Sequence, residues 1–266
     1  QDADITSVGG VITVDATTGD IHMLDGKTTS TSGAGTIAYT AATDVALSIL
    51  SAASTVNVTA TTGAITDNLT AETANITGTT ATLQAATGIG SADEIDTNIT
   101  TLDAVNSGAG NIQVNEVAAG GALDLSQVAQ TAAGEAGTIL ITTENGTITV
   151  LGGGSGVTTA GSGTITLDAN GADSDVAVDA VVTATSGTIQ INAVDEISNT
   201  AVISASGAGN IDLNAGDNVD QDADITSVGG VITVDATTGD IHMLDGKTTS
   251  TSGAGTIAYT AATDVA

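Results

Sequence analysis

The sequence lacks cysteine, proline, tryptophan and phenylalanine altogether, and each absence excludes a class of structure or chemistry. Without cysteine there are no disulfide bonds and no thiolate ligands for a metal, although the chain remains compatible with an oxidising exterior. Without proline, which would remove a hydrogen-bond donor from a ladder, long uninterrupted sheets are possible. Two tyrosines are the only aromatic residues among 266, so a core built from large aromatic side chains is excluded.

Basic residues are almost as scarce, because two lysines and no arginine face 31 acidic residues, for a net charge of −29. A nucleic-acid-binding surface needs a basic face and usually stacking aromatic side chains, so nucleic acid is excluded as a partner. We also expect no membrane insertion, since no apolar run approaches the ~20 residues that a transmembrane helix requires. An apolar content of 41% and a mean hydropathy of +0.28 argue against a disordered acidic chain.

A 46-residue sequence occurs twice, at Gln1–Ala46 and Gln221–Ala266, with every position identical, and the two copies define a 220-residue repeat. Self-similarity at a fixed period is typical of repeat architectures. We therefore predict that residues 1–220 form one tandem repeat of a continuous array, that residues 221–266 begin the next repeat, and that no true domain boundary separates them. The array is expected to continue on both sides of this chain.

A shorter period lies inside the long one, carried by the motif Gly-x-Ile-x-Leu-x-Ala with Val, Ile or Tyr in place of Leu in some copies. Successive motifs recur with a period of ~22 residues, which is in the range of solenoid repeats and predicts about ten units in the 220-residue repeat. Because ten is a whole number, the second copy is expected to follow the first in the same register and on the same face. The clearest motifs are Gly10–Ala16, Gly35–Ala41, Gly163–Ala169, Gly187–Ala193 and Gly209–Ala215.

Each motif alternates apolar and polar residues, which predicts a strand with one buried face. Further alternating segments follow between Gly, Ser and Thr clusters, as in Asp175–Asp179 and Ala201–Ala205. Three short strands in each unit predict an all-β chain, a parallel β-helix (β-solenoid) whose coils stack ~4.8 Å apart. A string of immunoglobulin-like sandwiches is the alternative, but a unit of about 22 residues is too short for a sandwich. Residues 61–134 are the least regular part.

The motif, with outward positions rich in Asn, Asp and Thr, resembles the repeats of filamentous-haemagglutinin-type exoproteins and related autotransporter passengers. The resemblance implies a secreted, right-handed parallel β-helix used in adhesion. This sequence departs from the family's pattern, because the secretion cap is absent and an Arg-Gly-Asp motif is impossible without arginine. The long homogeneous repeat is more typical of a fibre-building array than of a single passenger.

Carboxylates are dense enough to suggest Ca²⁺ as a cofactor, since hard oxygen ligands are those that Ca²⁺ takes. The glycine and distal glutamate of an EF-hand loop are missing, so the alternative is an acidic surface that keeps the chain soluble and attracts cations diffusely. Asp220, Asp222 and Asp224 alternate and so share one strand face. The other two sets are Asp173, Asp175 and Asp179, and Asp93, Glu94 and Asp96.

One outward column of the stacked motifs is predicted to hold polar side chains ~4.8 Å apart. Asparagine ladders hydrogen-bond along such an axis, and interleaved Asn and Thr dilute the repulsion between Asp residues. The alternative interpretation is a solvated polar face. The column consists of Asp15, Thr40, Thr59, Asp168, Asn192, Asn214 and Asp235.

Five Asn-x-Thr sequons are candidate glycosylation sites, although a sequence rich in Asn and Thr also produces sequons by composition alone. They begin at Asn57, Asn68, Asn75, Asn98 and Asn145. No catalytic residues are predicted. His22 has no second histidine near it in sequence, and Lys27 is the one basic side chain of each repeat.

These features predict a protein that is not an enzyme and that lies outside the cell or on its surface. We expect a structural subunit of a long acidic filament built from tandem β-solenoid repeats, which binds copies of itself end to end and also side to side. The alternative is an adhesin stalk or passenger that attaches to a host or neighbouring cell surface.

Overall fold

The computed structural model describes all of residues 1–266 and contains strands, turns and bends but no helix. The strands pair in parallel, and the chain winds into a β-solenoid of about 11 coils with about 24 residues in each. The predicted all-β solenoid fold is therefore confirmed. Coil length varies, since a short coil separates the partners Ile37 and Val56 and a much longer one separates Ile148 and Val176.

The strands are short, as the alternating segments of the sequence predict. In the first half of the chain they are β1 (Ile5–Val8), β2 (Ile12–Ala16), β3 (Ile21–His22), β4 (Thr28–Ser32), β5 (Ile37–Ala41), β6 (Val45–Leu47), β7 (Ile49–Ala52), β8 (Thr55–Ala60), β9 (Ile65–Asp67), β10 (Ile76–Thr77), β11 (Thr80–Ala85), β12 (Ile95–Asn98), β13 (Thr101–Asn106), β14 (Ile112–Glu116) and β15 (Leu123–Gln130). In the second half they are β16 (Ile139–Thr143), β17 (Ile148–Val150), β18 (Gly156–Thr159), β19 (Ile165–Ala169), β20 (Val176–Val178), β21 (Val182–Ala184), β22 (Ile189–Ala193), β23 (Ile197–Asn199), β24 (Ile203–Ala205), β25 (Ile211–Ala215), β26 (Val219–Gln221), β27 (Ile225–Ser227), β28 (Ile232–Ala236), β29 (Ile241–Met243), β30 (Thr249–Thr251) and β31 (Ile257–Ala261).

Three sheets form the sides of the rod. The first sheet has 12 strands in the order β1-β4-β7-β10-β12-β14-β16-β19-β22-β25-β28-β31. The second sheet has 16 strands, of which β2-β5-β8-β11-β13-β15-β17-β20-β23-β26-β29 form the main path and β18-β21-β24-β27-β30 form a branch that begins at β15. The third sheet, β3-β6-β9, is continued by single bridges from Ile65 to Ile89 and from Ile89 to Ile112.

The later coils, residues 163–261, follow the motif closely, and we call them the regular coils. Their first isoleucines, Ile165, Ile189, Ile211 and Ile232, are direct partners in the first sheet, as the motif alignment predicts. Along β22 the burial alternates, with Ile189, Ile191 and Ala193 inside. The inward side chains form one cluster of 56 buried residues along the rod, and burial of each isoleucine contributes ~2 kcal/mol.

Glycine opens each motif because the backbones of adjacent coils approach too closely there for a side chain. A Cβ atom built on Gly187 would lie 1.8 Å from the carbonyl oxygen of Gly163, and one built on Gly209 would lie 1.9 Å from that of Gly187. The glycines of this column have no positive φ. The close approach of the two backbones is therefore what requires glycine at these positions.

The two identical 46-residue copies lie on different sheets. Strand β2 belongs to the second sheet, whereas its twin β28 belongs to the first sheet, and β5 and its twin β31 differ in the same way. The prediction that the second copy follows on the same face is therefore wrong. That prediction rests only on the mean spacing of the motif. A mean spacing does not reveal a strand that pairs with strands of two different sheets.

The change of face takes place in residues 89–159, which we call the junction. Strand β14 joins two columns, because Ile112 bridges to Ile89 while Val114 pairs with Ile95 of the first sheet. Strand β15, the longest in the chain, divides: Leu125 pairs with Val150 of β17, and its last four residues pair with Gly156–Thr159 of β18. The corner between the third and first sheets thus becomes a side of the rod. The side formed by the second sheet becomes a corner.

Local packing is nevertheless the same in both copies. The amide oxygen of Gln221 accepts hydrogen bonds from Thr249 Oγ1 at 2.9 Å and from the Tyr259 hydroxyl at 3.0 Å. In the first copy the amide oxygen of Gln1 accepts from the corresponding Thr29 and Tyr39, at 3.1 and 2.6 Å. The 46-residue sequence therefore determines the contacts within its own coils, whichever sheet its strands join.

Candidate functional site

Carboxylate and amide oxygens at the turns link each coil to the next. Asp175 Oδ1 accepts a hydrogen bond from the backbone N–H of Glu196 at 3.1 Å, and Asp240 Oδ1 accepts one from that of Asp264 at 2.9 Å. At another turn Asp224 Oδ1 accepts from the N–H of Thr248 at 2.9 Å. A turn N–H has no ladder partner, so each of these oxygens satisfies a donor that would otherwise depend on water. Much of the acidity of the surface therefore has a structural role.

Six carboxylates lie close together along one edge of the regular coils, and we call this cluster the acidic ridge. Desolvation, followed by repulsion from Asp175, Asp217 and Asp173, raises the pKa of Asp195. Desolvation and repulsion from Asp220 and other carboxylates likewise raise the pKa of Glu196. Concentrated negative charge of this kind attracts cations from solution. The acidic ridge consists of Asp173, Asp175, Asp195, Glu196, Asp217 and Asp220.

The structure separates the residues that the sequence suggested as Ca²⁺ ligands. Asp173, Asp175 and Asp220 belong to the acidic ridge, whereas Asp179 accepts a hydrogen bond from Thr200 Oγ1 at 2.7 Å. Asp224 is engaged with the N–H of Thr248, and the backbone N–H of Asp222 donates to the carbonyl of Asn199. No group of three or more His, Asp or Glu side chains is arranged to hold a metal ion. Calcium binding stays a prediction without a built ligand set.

The structure divides the predicted polar column into two, and one of these lies on the outward face of the regular coils. Asp168, Asn192, Asn214 and Asp235 are direct partners in successive strands of the first sheet. The side-chain amide of Asn214 donates to Asn192 Oδ1 at 2.9 Å, which is one step of an asparagine ladder. Asp15, Thr40 and Thr59 form the other column, on the second sheet in the first coils, so the prediction of a single column is wrong.

The junction contains two buried carboxyl groups, of which Glu116 lies on the inward face of its strand. Glu116 is fully buried and accepts hydrogen bonds from Thr97 Oγ1 at 2.6 Å and from the N–H of Ile99 at 2.8 Å. Desolvation raises the pKa of Glu116 to about 7. Asp96 is buried as well, and its Oδ1 accepts a hydrogen bond from Asn115 Nδ2 at 2.8 Å. Desolvation raises the pKa of Asp96 to about 6.

The sequence patterns do not single out Glu116, and they place Asp96 in one acidic cluster with Asp93 and Glu94. The structure corrects this assignment, because Asp93 and Glu94 are exposed while Asp96 is buried. A signal was present in the sequence Ile112–Glu116, where the apolar alternation of Ile112 and Val114 places Glu116 on the inward side.

The five sequons occupy different environments. Asn145 is exposed at a turn, and Asn57, Asn68 and Asn98 are partly accessible. Asn75 is fully buried, donates to Asp67 Oδ1 at 2.5 Å and accepts from the N–H of Asp96 at 2.9 Å. A sugar on Asn75 would displace these hydrogen bonds, whereas the other four sequons are open to a glycan, and glycosylation stays a prediction.

Both histidines are exposed, and neither forms a hydrogen bond with a nucleophilic side chain. His22 Nε2 lies 3.1 Å from the side-chain amide of Asn68, and His242 Nδ1 lies 3.9 Å from Asp220 Oδ1. The surface depressions are open and have volumes of about 320 to 410 Å³. The most enclosed is lined by Thr59, Gln84, Ser107 and small apolar side chains, with no titratable group.

Comparison with known proteins gives no relative, since no family model, curated protein or solved structure matches the chain. None of the chain folds into a helix with the length and apolar character needed to cross a membrane.

Proposed function

We propose that the chain is a structural segment of a long, acidic fibre that lies outside the cell or on its surface and is built from tandem β-solenoid repeats. The observation that carries this proposal is the unbroken hydrogen-bond ladder between one repeat and the next. Strands β28 and β31 of the second copy extend the sheet that begins at β1, and β29 extends the path that begins at β2. An open sheet edge favours addition of a further coil, so tandem copies extend one rod.

The surface supports the same role. A net charge of −29 with two lysines keeps rods soluble, and rods that lie side by side would be bridged by divalent cations. Backbone donors at the turns are satisfied by Asp and Asn side chains of adjacent coils, as between Asp175 and Glu196, so acidity and axial stability come from the same residues. The resemblance of the motif to filamentous-haemagglutinin-type exoproteins supports the extracellular location and leaves an adhesive stalk as the second candidate.

Negative-stain imaging of chains that carry one, two and three full repeats tests the proposal. We expect straight rods whose length grows by roughly 46 Å with each added repeat, at ~4.8 Å per coil. Filaments of the same width on the native cell surface, labelled by an antibody against the 46-residue sequence, would complete the case. Flexible strings of separate beads would contradict the proposal. Saturable binding of a single-repeat chain to cells that carry no filaments would favour the adhesin.

A further inference from the structure

We infer that the 220-residue repeat holds nine and a half coils, so that successive repeats present the same surface on opposite sides of the rod. This half-coil offset between the two copies, which we call the phase, is a property of this chain alone. Its consequence for a fibre rests on the proposed function.

The first coils define three sides in chain order. Strand β1 lies on the first sheet, β2 on the second and β3 on the third, after which β4 returns to the first. In a three-sided coil the corner between the third and first sheets lies opposite the second sheet. The motif strands β2, β5 and β8 therefore lie on the side opposite that corner.

The junction turns that corner into a side. Strand β14 receives the column of the third sheet at Ile112 and the column of the first sheet at Val114, and it then pairs along its whole length with β16. On the opposite side β15 divides between β17 and β18. After the junction, the second sheet supplies two sides of the coil, and its former middle has become a corner.

The motif strands of the second copy therefore lie half a turn away from those of the first. Strand β28 is in the column that leads back through β16 to β14, so it lies opposite the side that carries its twin β2. The coil length agrees, since nine and a half coils in a 220-residue repeat give a mean of roughly 23 residues, close to the observed coils of about 24 residues. Two repeats would contain nineteen coils and restore the original side.

The consequence concerns lateral contacts. A surface element of the repeat, such as the turn between His22 and Lys27, would be displayed on alternating sides of a long rod. A fibre of this kind meets neighbouring fibres through equivalent surfaces on two opposite sides, which suits a flat lateral array of copies of itself. A repeat with a whole number of coils would place all such surfaces on one side.

The phase can be tested in this chain by disulfide formation, because the chain contains no native cysteine. Adjacent in-register strands bring Cα atoms within the range that a disulfide bridges. The double variants Gln113→Cys/Leu140→Cys and Asp124→Cys/Thr149→Cys join outward partners across the junction. Asp124→Cys/Leu140→Cys joins the strands that would be partners if the motif stayed on the second sheet. Thr166→Cys/Gln190→Cys, in the regular coils, is the control that both arrangements predict.

After mild oxidation, we expect the first two pairs and the control to close in most molecules, measured by peptide mass spectrometry, and the pair at 124 and 140 to stay reduced. Closure of the pair at 124 and 140, with the pair at 113 and 140 open, would overturn the inference. Circular dichroism of each reduced variant shows whether it is folded, and any variant that is not is replaced by the next outward pair, such as Asn115→Cys/Thr142→Cys. If the predicted pairs close and no fibre forms, the phase stands and the proposed function fails.

Discussion

The regular coils and the junction differ in the side chains that fill the interior of the rod. In the regular coils the inward positions are almost entirely Ile, Leu, Val and Ala, and the buried polar residues are Ser174, Asn199, Gln221 and Ser227. The junction has twice as many buried polar residues in a shorter stretch. They are Asp96, Thr97, Asn106, Asn115, Glu116, Gln130, Thr143 and Thr159.

The difference follows from what each region has to satisfy. A coil that copies its neighbour completes the backbone ladder and needs only apolar side chains inside. Where strands leave one column and join another, backbone groups lose their ladder partners, and buried side chains must satisfy them. Asn106 does so most fully, because its Nδ2 lies within 3.1 to 3.2 Å of the carbonyl oxygens of Gly108, Ala109 and Gly110. In the junction, buried hydrogen bonds thus take the place of the regular apolar packing seen in the regular coils.

The largest expected effect comes from breaking the regular coils at their closest backbone contact. Gly209→Val places a Cβ 1.9 Å from the carbonyl oxygen of Gly187, so the coils must separate. We expect a loss of about 4 kcal/mol or more in the free energy of unfolding, measured by urea titration followed by circular dichroism. Gly19→Ala is the matched control, because nothing lies within 4 Å of its built Cβ, and it should change stability by less than ~0.5 kcal/mol. Equal effects of the two changes would contradict the close-contact explanation.

The buried carboxyl of Glu116 should make the junction sensitive to pH. Its pKa is raised from 4.5 to about 7 in the folded chain, so the folded state favours the protonated form. The stabilisation from this group is complete below pH 4.5 and is lost as pH rises towards 7 and above it, a change of about 3 kcal/mol. Urea unfolding at pH 5 and pH 8 measures this loss.

In Glu116→Gln the difference between pH 5 and pH 8 should shrink by most of that amount, while the exposed control Glu135→Gln should keep the wild-type difference. High salt separates this effect from surface repulsion, because salt screens exposed charges far more than buried ones. An unchanged pH dependence in Glu116→Gln would show that Glu116 is not a buried acid.

Paired asparagine variants compare the two regions directly. Asn106→Ala in the junction removes the acceptor of a buried hydrogen bond from the N–H of Gly88 and the donor of half-buried hydrogen bonds to three carbonyl groups. We expect it to cost about 2 kcal/mol. Asn192→Ala removes one step of an outward ladder and should cost no more than ~0.5 kcal/mol. Thermal unfolding of both variants measures the difference, and a larger cost for Asn192→Ala would reverse the roles assigned to the two regions.

The sequence was a good guide wherever each coil copies the last. The alternation of apolar residues and the glycine of each motif predicted the strands, the buried face and the partners Ile165, Ile189, Ile211 and Ile232, because one local rule determines them all. The same rule failed in the junction, where the register shifts between Leu102 and Asp103. Which columns β14 and β15 join depends on contacts between distant coils, and no local pattern encodes that choice. The same holds for the candidate site residues. The outward Asn and Asp positions of the regular coils were predicted from the sequence, but the inward Glu116 of the junction was not.

The smallest predicted effect uses the two copies as each other's control. Asp224→Ala removes the acceptor for the N–H of Thr248. Asp224 is half-buried in a coil that has neighbours on both sides, and we expect a cost of about 1 kcal/mol. The twin change Asp4→Ala removes the same bond to Thr28 at the exposed first coil, where water replaces the carboxylate, and it should cost less. Hydrogen exchange of the N–H groups of Thr28 and Thr248 measures each local effect. Equal protection in both variants would show that the carboxylates do not link the coils.

One continuous rod that carries the two identical copies half a coil out of phase is the arrangement on which these comparisons depend. Electron cryomicroscopy of a rod with three copies of the 46-residue sequence, at a resolution that separates the strands, tests it most directly. We expect nine and a half coils between successive copies of the Tyr39 side chain, with the third copy back on the side of the first. A whole number of coils between neighbouring tyrosines, all on one sheet, would contradict it.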